Sequence, residues 1–394
     1  MTNDQSTGPG DRAANTSRRT GLKRILKWSA RAILLALVLA FLVGFVAYWR
    51  STNDCNVPIR GEVMKAIKVC DYGLDALQFA DVTKPVPSDD QVLIKVRAAS
   101  LNALDVFMIR DTWFGRFFFG LRKPKDTRLG RDVAGQVEAV GKKVTQFKPG
   151  DEVFGICRGA LAEYACAFER ALVMKPPNVS FEEAAAVPLA GLTALQGLRE
   201  GKIQSGQKVL VNGATGGVGT FAVQIAKSFG AEVTAVCSTR NVDLVRSIGA
   251  DHVIDYTKED FTKSDQRYDV IFDNVCNHSF SDRRRVLTAK GICVLAGMGG
   301  AGVKEGQAIG RIAGNLFIAR GLSSFTSQKF AQYMTKLSKP DLILLGELIQ
   351  AGKLKPVVER TYKLNDAPEA IRQLDAGHAR GKIVITVGGV ALIT

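Results

Sequence analysis

The glycines of NGATGGVG, residues 212–219, form the pattern with the clearest chemical meaning in this chain. Gly213, Gly216 and Gly219 follow an apolar run and precede a stretch whose apolar residues recur at helical spacing. A turn between a strand and a helix directs backbone N–H groups and the positive end of the helix dipole at one point, which glycines leave open. The pattern therefore predicts a pyrophosphate-binding turn, although Ala214 stands where the strict fingerprint has its first glycine.

The residues after the next predicted strand, EVTAVC, bear on which dinucleotide this turn would hold. An NAD site usually carries Asp or Glu here, because a carboxylate accepts hydrogen bonds from the ribose hydroxyls and repels a 2′-phosphate. This chain has CSTRN instead, in which Ser238 and Thr239 can donate hydroxyls and Arg240 can offer charge-assisted hydrogen bonds to a phosphate. Arg240 alone could equally be a solvated surface residue. The absence of an Asp or Glu at this position is therefore the stronger argument for NADP(H). The sequence predicts NADP(H) in preference to NAD(H).

The histidines and cysteines show no arrangement typical of a metal site or a disulfide framework. A catalytic zinc site of a dehydrogenase combines Cys and His ligands around an open position, and the three histidines, His252, His278 and His378, all follow residue 250. We therefore expect no catalytic metal. The seven cysteines are scattered without a CxxC pair, and we expect free thiols; they are Cys55, Cys70, Cys157, Cys166, Cys237, Cys276 and Cys293.

The formal charge of +15 does not by itself indicate a nucleic-acid partner. Residues 1–63 hold nine Lys/Arg against four Asp/Glu, a net +5, and the other +10 is spread over the remaining residues without a dense basic tract. Solvated surface charge is the favoured interpretation, with a few cations reserved for an anionic cofactor.

Residues 1–31 are predicted to be a disordered basic tail, and residues 32–49, AILLALVLAFLVGFVAYW, a transmembrane helix. These 18 residues carry no charge, and about 20 apolar residues cross a bilayer. The alternatives are a buried helix and a cleaved signal peptide, and SRRTGLK weakly resembles a twin-arginine export signal. Seven Lys/Arg precede the span, which favours a single-pass protein with a cytoplasmic N-terminus and its body across the membrane. The supply of NADPH inside the cell argues for the opposite side.

The pattern of apolar residues and turns in the remaining chain predicts three segments. Short β-like runs between turns indicate a mostly β domain over 64–180, and strands alternating with amphipathic helices indicate βαβ units over 181–325. In 326–394, GKIVITV is predicted to be a last strand and DLILLGELIQAG a helix; a further helix is predicted for SSFTSQKFAQYMTKL, residues 323–337.

Several motifs together resemble one family, the medium-chain dehydrogenase/reductases, in their zinc-free quinone oxidoreductase branch. The similarity runs from Met64 to Val387 and includes GRDVAGQVEAVG, FKPGDEVFG, AAAVPLAGLTAL, NGATGGVG and GHARGKIVITV. It implies an α/β protein with a GroES-like catalytic domain, a Rossmann domain and a C-terminal return to the first domain. Where the zinc branch has His-Glu after a glycine, this chain has Gly130, Arg131 and Asp132, which also argues against catalytic zinc.

The resemblance also implies roles for individual residues. NADP(H) would contact Thr215, Gly216, Gly217 and Val218 at the pyrophosphate, Ser238 and Arg240 at the 2′-phosphate, Tyr256 near the adenosine and Asn274 toward the nicotinamide, with Gly381 and Lys382 closing the site. Asn102 and Asp105 match positions that orient the substrate or support its pocket, and Thr193 would pack against the nicotinamide ring. Two alternatives stay open: Tyr256 could simply bury its ring, and Asn102 with Asp105 could form a polar network at a strand end.

The sequence departs from the family just after Asp105. Relatives carry an Arg, a Gly and often a Tyr that could protonate an enolate, whereas here Arg110 is displaced by one position and Trp113 lies near the place of the Tyr. Tryptophan cannot serve as that acid, so quinone reduction is favoured over enoyl reduction. An aromatic cluster follows, which could fold onto the core or form an apolar mouth for a lipophilic acceptor; it comprises Trp113, Phe114, Phe117, Phe118 and Phe119.

Three functional hypotheses follow. The leading one is a membrane-anchored, zinc-independent oxidoreductase that transfers hydride from NADPH to a quinone or similar activated carbonyl compound. The second is an NADPH-dependent reductase of enones or enoyl thioesters, and the third is a nucleotide-binding scaffold or sensor without turnover. The expected partners are a lipophilic small molecule, the membrane and a second copy in a homodimer, with no nucleic acid.

Overall fold

The structure is a computed structural model that describes residues 28, 32, 33, 35–46, 55, 57–296, 327–377 and 380–388. Residues 32, 33 and 35–46 are helical. Across the described ranges, no helix combines the length and the apolar character that a membrane crossing requires. The structure therefore does not support the predicted transmembrane helix, and the predicted tail, apart from Trp28, lies outside the described residues.

The first part of the body is built from short strands whose alternating side chains face a core on one side. In the strand Tyr164–Phe168, for example, Ala165 and Ala167 are buried whereas Phe168 is exposed. The elements are β1 (Val63–Val69), β2 (Leu77–Thr83), β3 (Gln91–Ser100), α1 (Ala103–Ile109), α2 (Trp113–Phe119), β4 (Asp132–Val140), β5 (Glu152–Ile156), β6 (Tyr164–Phe168) and β7 (Leu172–Met174), with 3₁₀ turns at Leu74–Ala76 and Glu169–Ala171.

The middle part alternates helices with strands, of which Lys208–Asn212, Glu232–Cys237 and Tyr268–Asp273 are almost wholly buried, as expected of a parallel sheet covered on both faces. Its elements are α3 (Phe181–Ala185), α4 (Pro188–Glu200), β8 (Lys208–Asn212), α5 (Gly217–Ser228), β9 (Glu232–Cys237), α6 (Val242–Ser247), β10 (His252–Asp255), β11 (Tyr268–Asp273), α7 (Phe280–Arg285) and β12 (Leu287–Leu295), with 3₁₀ turns at Thr239–Asn241 and Phe261–Lys263. The last part holds β13 (Lys329–Gln332), α8 (Lys339–Gln350), β14 (Val358–Lys363), a 3₁₀ turn at Leu364–Asp366, α9 (Ala367–Ala376) and β15 (Lys382–Thr386).

The strands form two main sheets, and β1 and β2 pair as a separate hairpin. One sheet is six-stranded and parallel, in the order β10-β9-β8-β11-β12-β13. Its strand order reverses between β8 and β11, and ligands of open α/β sheets bind at the carboxyl ends of the strands beside such a reversal. The other sheet runs β14-β15-β3-β4-β5-β7, with β6 paired to β3.

The C-terminal strands thus join the sheet that the first strands begin. In the register of β15 and β3, Val384 lies opposite Ser100. The two sheets also share a hydrophobic core, in which Ala98 and Phe154 of the first sheet lie in one cluster with Leu192 and Val211. This continuity fixes the glycine turn of one sheet relative to the strand ends of the other.

Two expectations from the sequence were wrong. Within 323–337 the residues from 327 onward contain no helix; Lys329–Gln332 form β13, because they pair parallel with β12 and Phe330 packs on Phe280 at 4.1 Å. Cys55 and Cys70 form a disulfide rather than free thiols, with their Cα atoms 5.7 Å apart. The fold brings together two cysteines whose spacing carries no signal, and the other five cysteines, all among the described residues, form no disulfide.

Candidate active site at the junction of the two sheets

The glycine turn connects β8 to α5, as the sequence predicts. Gly213 has φ +82°, a backbone conformation that favours glycine. A Cβ at Gly219 would lie 2.0 Å from the carbonyl oxygen of Gly213, so no other residue fits there without a shift of the backbone. The first turn of α5 leaves its N–H groups without intrahelical acceptors. Four predicted pyrophosphate contacts lie half-exposed at this helix start: Thr215, Gly216, Gly217 and Val218.

The predicted 2′-phosphate residues lie directly after β9. Ser238 accepts a hydrogen bond from the amide of Asn241 at 3.2 Å, and Arg240 is exposed in the 3₁₀ turn beside it. An acid, Asp255, lies beside this turn at the end of β10. Its carboxylate accepts hydrogen bonds from the hydroxyls of Thr239 at 2.5 Å and Thr257 at 2.7 Å, which lower its pKa to about 2. Both carboxylate oxygens of Asp255 therefore already accept hydrogen bonds from neighbouring threonines.

Tyr256 and Asn274 lie on either side of the turn. Tyr256 is 58% exposed, so the alternative in which its ring is buried is wrong. The backbone N–H of Asn274 donates to the carbonyl of Asn212 at 3.1 Å, and its amide nitrogen would lie 3.9 Å from a Cβ at Gly216. The side chain of Asn274 therefore borders the glycine turn itself.

A buried ion pair, which sequence reasoning missed, holds the ends of β8 and β11 together. Arg283 donates through Nε to Asp273 at 2.6 Å, and both side chains are almost fully buried. The other oxygen of Asp273 accepts the amide of Asn212 at 2.8 Å and the backbone N–H of Cys276 at 2.8 Å. Buried charges are costly unless paired in this way. The pair therefore fixes the two strands that border the turn.

A second buried network surrounds the ammonium group of Lys382. Its Nζ donates to the side-chain oxygen of Asn102 at 2.6 Å and to the carbonyl of Leu101 at 2.8 Å, and lies 3.3 Å from the carboxylate of Asp132. Asp132 also accepts the hydroxyl of Ser100 at 2.8 Å and the amide of Asn102 at 3.0 Å. The network joins β3, β4 and β15.

Sequence reasoning singled out Asn102 and Lys382 but gave Asp132 no role beyond marking the missing zinc motif. Its second oxygen accepts the backbone N–H of Leu189 at 3.0 Å, near the start of α4. Thr193, one turn further on, donates to the carbonyl of Leu189 at 2.7 Å and lies 2.9 Å from the hydroxyl of Thr335. Asp132 thereby connects the predicted nicotinamide contact to the lysine network.

Asp105 is 1% exposed at the start of α1. One carboxylate oxygen accepts the backbone N–H of Asn102 at 2.8 Å, and the other has no hydrogen-bond partner among the described residues. Burial, reinforced by the nearby charge of Asp132, raises the pKa of Asp105 to about 6. The polar network at the strand end therefore exists, and it includes a carboxyl group that titrates near neutral pH.

The last strand brings the lysine network to the glycine turn. Gly381 forms an isolated parallel bridge with Gly216, and a Cβ at Gly217 would lie 2.7 Å from Cδ of Lys382. The aliphatic stem of Lys382 thus runs along the start of α5 while its ammonium group lies between Asn102 and Asp132. The structure therefore brings Gly216, Gly217, Gly381 and Lys382 together with Asn102 at one junction.

The aromatic cluster matches neither predicted alternative completely. It forms α2, in which the ring of Phe119 packs edge-on against Phe107 at 5.7 Å, whereas Trp113 is 65% and Phe117 is 68% exposed. In the part of the chain that the structure describes, no group of three or more His, Cys, Asp or Glu side chains is arranged to hold a metal ion.

Comparison with known proteins places the chain among oxidoreductases. A model of the alcohol dehydrogenase GroES-like domain matches residues 88–177, and a model described as a zinc-binding dehydrogenase matches residues 248–385. The mitochondrial NAD(P)H oxidoreductase RTN4IP1 of Mus musculus is 34% identical over 380 residues, 86% of this chain and 95% of that protein.

Two further proteins are similar over most of their length. The 2-methylene-furan-3-one reductase of Solanum lycopersicum is 37% identical over 338 residues, 82% of this chain and 79% of that protein. The structure of the quinone oxidoreductase from Coxiella burnetii superposes with a TM-score of 0.71 at 30% identity, covering 83% of this chain and all of that one. The predicted combination of a GroES-like domain and a Rossmann domain is thereby confirmed.

Proposed function

Because this chain belongs to the zinc-free quinone oxidoreductase branch of the medium-chain dehydrogenase/reductases, we propose that it transfers hydride from NADPH to a quinone or a similarly activated carbonyl acceptor. The observation that carries the proposal is the meeting of the glycine turn with the buried Lys382 network. A turn of this kind holds the cofactor, and the network borders the space beside it.

The residues present fit an anionic dinucleotide. A Cβ at Gly217 would lie 2.7 Å from Cδ of Lys382, and one at Gly219 would lie 2.0 Å from the carbonyl oxygen of Gly213, so the turn packs closely against the rest of the chain. The N-terminus of α5 directs its N–H groups toward an anion bound at this turn. Arg240 is exposed where a 2′-phosphate would lie, and Asp255, held by two threonines, presents no unoccupied carboxylate to a ribose. When bound, NADPH would supply a hydride from its nicotinamide ring.

The role of the catalytic side chains is positioning. Lys382, Asn102 and Asp132 are buried and hydrogen-bonded to one another, so they hold strand ends rigidly against the cofactor cradle and exclude water. A quinone that gains a hydride becomes a hydroquinone anion and takes one proton from water. No side-chain acid is needed for that step, which suits a chain with Trp113 near the place of the family's tyrosine.

The second candidate is the reduction of an enone or an enoyl thioester. The similarity to a furanone reductase favours it, as does Asp105, a buried carboxyl group whose pKa is raised to about 6. In that reaction the enolate formed by hydride addition must gain a proton at carbon. Asp105 is a weak donor above its pKa, so this activity would fall as the pH rises.

Oxidation of NADPH by the purified chain, with a panel of quinones and of enones, tests both candidates. We expect turnover with quinones, and its loss in Gly219→Ala, because the added methyl group would lie 2.0 Å from a backbone oxygen. Gly346→Ala is the matched control, since its nearest neighbours would be 3.8 Å away. Turnover of enones alone would favour the second candidate, and binding without turnover would favour a nucleotide-binding scaffold.

Membrane attachment through residues 32–49 is part of the proposal. Its support is the run of uncharged residues and the exposure of apolar side chains in the described helical residues, such as Phe41 at 72% and Val43 at 67%. The Lys/Arg bias supports a cytoplasmic N-terminus. Sedimentation of the full chain with vesicles, compared with a chain lacking residues 1–49, tests it. A homodimer also remains a proposal, tested by light scattering in detergent.

A further inference from the structure

We propose that the exposed aromatic face of α2, formed by Trp113 and Phe117, lies in the interfacial layer of an anionic membrane. The inference rests on the proposed attachment through residues 32–49 and deepens it, because it assigns which side of the body faces the lipid.

The structure holds α2 against the body, and the side chains of Trp113 and Phe117 are largely exposed. Trp113 and Phe117 are four positions apart and therefore share one face of the helix. Their exposed fractions are 65% and 68%. On another side, the guanidinium group of Arg116 lies 4.8 Å from the ring centre of Tyr72, and Phe119 packs on Phe107. The two exposed rings thus project from a helix that is fastened to the body.

The charges around α2 match an anionic surface. Residues 110–128 contain six Lys/Arg and two Asp, and Asp375 pairs with Arg110, which leaves a net charge of +3. Both acids lie beside arginines, Asp111 at 2.6 Å from Arg116 and Asp126 at 3.7 Å from Arg131. Aromatic side chains favour the membrane interface, and Lys and Arg bind anionic headgroups. The exposed cations of this stretch include Arg122, Lys125 and Arg128.

The disulfide keeps this face near the proposed anchor. Cys55 is bonded to Cys70, and the ammonium group of Lys68 donates to the carbonyl of Cys55 at 2.7 Å. Cys55 follows Trp49 by only six positions, which at full extension span about 20 Å. Without the disulfide and the Lys68 contact, the tether would extend to Arg60, whose backbone N–H donates to Thr83 at 3.1 Å; the 11 positions from Trp49 span about 35–40 Å at full extension.

α2 lies beside the point where the tether is fixed. Tyr72, two residues after Cys70, donates its hydroxyl to the carbonyl of Gly120 at the C-terminal end of α2, at 2.5 Å. A body held within about 20 Å of the bilayer at Cys70 therefore brings α2 to the lipid.

Quenching of tryptophan fluorescence by brominated lipids tests the proposal. The full chain is mixed with phosphatidylcholine vesicles with and without phosphatidylglycerol, and the emission of Trp113→Phe is subtracted from that of the native chain to isolate Trp113. We expect brominated acyl chains to reduce this difference emission at least twofold in anionic vesicles. The triple variant Arg122→Gln, Lys123→Gln, Lys125→Gln should lose most of that effect.

Val86→Trp in the Trp113→Phe chain is the matched control. Val86 is 87% exposed and precedes β3. The ten residues of β3, a strand about 30 Å long, lie between Val86 and the start of α1 in the chain. The indole introduced at position 86 should not be quenched. If the chain sediments with vesicles but Trp113 is not quenched, or is quenched no more than the control, the inference is wrong and the attachment stands. If the chain does not sediment with vesicles, both the proposed attachment and the proposed orientation of α2 are wrong. NADPH turnover with a soluble quinone tests the hydride-transfer proposal separately.

Discussion

Gly217 and Lys382 occupy adjoining space so closely that a single methyl group on Gly217 would lie 2.7 Å from the lysine side chain. Because the ammonium end of the same side chain bonds to Asn102, the start of α5 and the end of β3 are linked through one residue. A substitution at the start of α5 is therefore expected to disturb the packing at the end of β3, and the reverse. The proposed cofactor and acceptor sites are coupled by packing as well as by proximity.

Replacement of Lys382 by methionine should destabilise the chain and abolish turnover. The thioether keeps the stem but leaves the buried carboxylate of Asp132 without its cation, which costs about 3–5 kcal/mol. Urea unfolding measures the loss of stability, and NADPH oxidation measures the loss of activity. Lys353→Met, at an exposed position, is the control. Unchanged stability would show that the ammonium group does not compensate Asp132.

Arg240→Ala should weaken NADPH binding by about tenfold and leave NADH binding unchanged. A charge-assisted hydrogen bond to a phosphate is worth about 1.5–3 kcal/mol. Titration of the full chain with each cofactor, followed by nicotinamide fluorescence, measures the two dissociation constants. Arg267→Ala, which removes an exposed arginine bonded to its own loop, serves as the control. Equal losses for both cofactors would remove Arg240 from the 2′-phosphate site.

The buried Asp105 should make stability depend on pH. Its pKa is raised to about 6 in the folded chain and is about 3.9 when unfolded, so the folded state binds the proton more tightly. The contribution of this group is fully present below pH 4 and is lost as the pH rises through 6, by about 3 kcal/mol. Asp105→Asn should therefore gain stability relative to the native chain between pH 4 and pH 7. A difference that stays constant with pH would contradict the assignment.

Activity should not require zinc. Neither the histidines nor the Gly130–Asp132 motif provides the ligand set of a zinc dehydrogenase. Purified protein should contain far less than one zinc per chain by elemental analysis, and its NADPH oxidation should survive chelation. Stoichiometric zinc that is lost together with turnover would overturn this expectation.

The Cys55–Cys70 disulfide should be present in cells and should report the side of the membrane. Disulfides persist in oxidising compartments, so an oxidised pair supports a body on the opposite side from the cytoplasmic N-terminus. We expect both thiols to resist alkylation until reduced, and a tag at Thr394 to be cleaved by protease in right-side-out vesicles. Closing a loop of this 15-residue separation stabilises a chain by about 3 kcal/mol. Rapid alkylation of unreduced chains would instead place the body in the cytoplasm.

The parts of the site that depend on local sequence could be predicted. The turn at Gly213–Gly219 is recognisable from a motif of consecutive residues, and EVTAVC forms β9 as its composition indicates. The strand at Lys329–Gln332 could not be predicted, because it forms through pairing with β12, which the local sequence does not reveal. The same limit applies to Asp132, whose partners Ser100 and Lys382 are 32 and 250 residues away. The disulfide likewise depends on a fold that brings Cys55 to the end of β1.

The place of Lys382 in the last strand has a consequence for the order in which the protein is made. A ribosome synthesises the glycine turn about 165 residues before it reaches Lys382, a delay of roughly ten to thirty seconds at about 5–20 residues per second. During that time β3 lacks its neighbour β15, and the polar groups of Asn102 and Asp132 have no cation between them. The nascent chain can fold its Rossmann strands first, but hydride chemistry must wait until translation has passed the final strand.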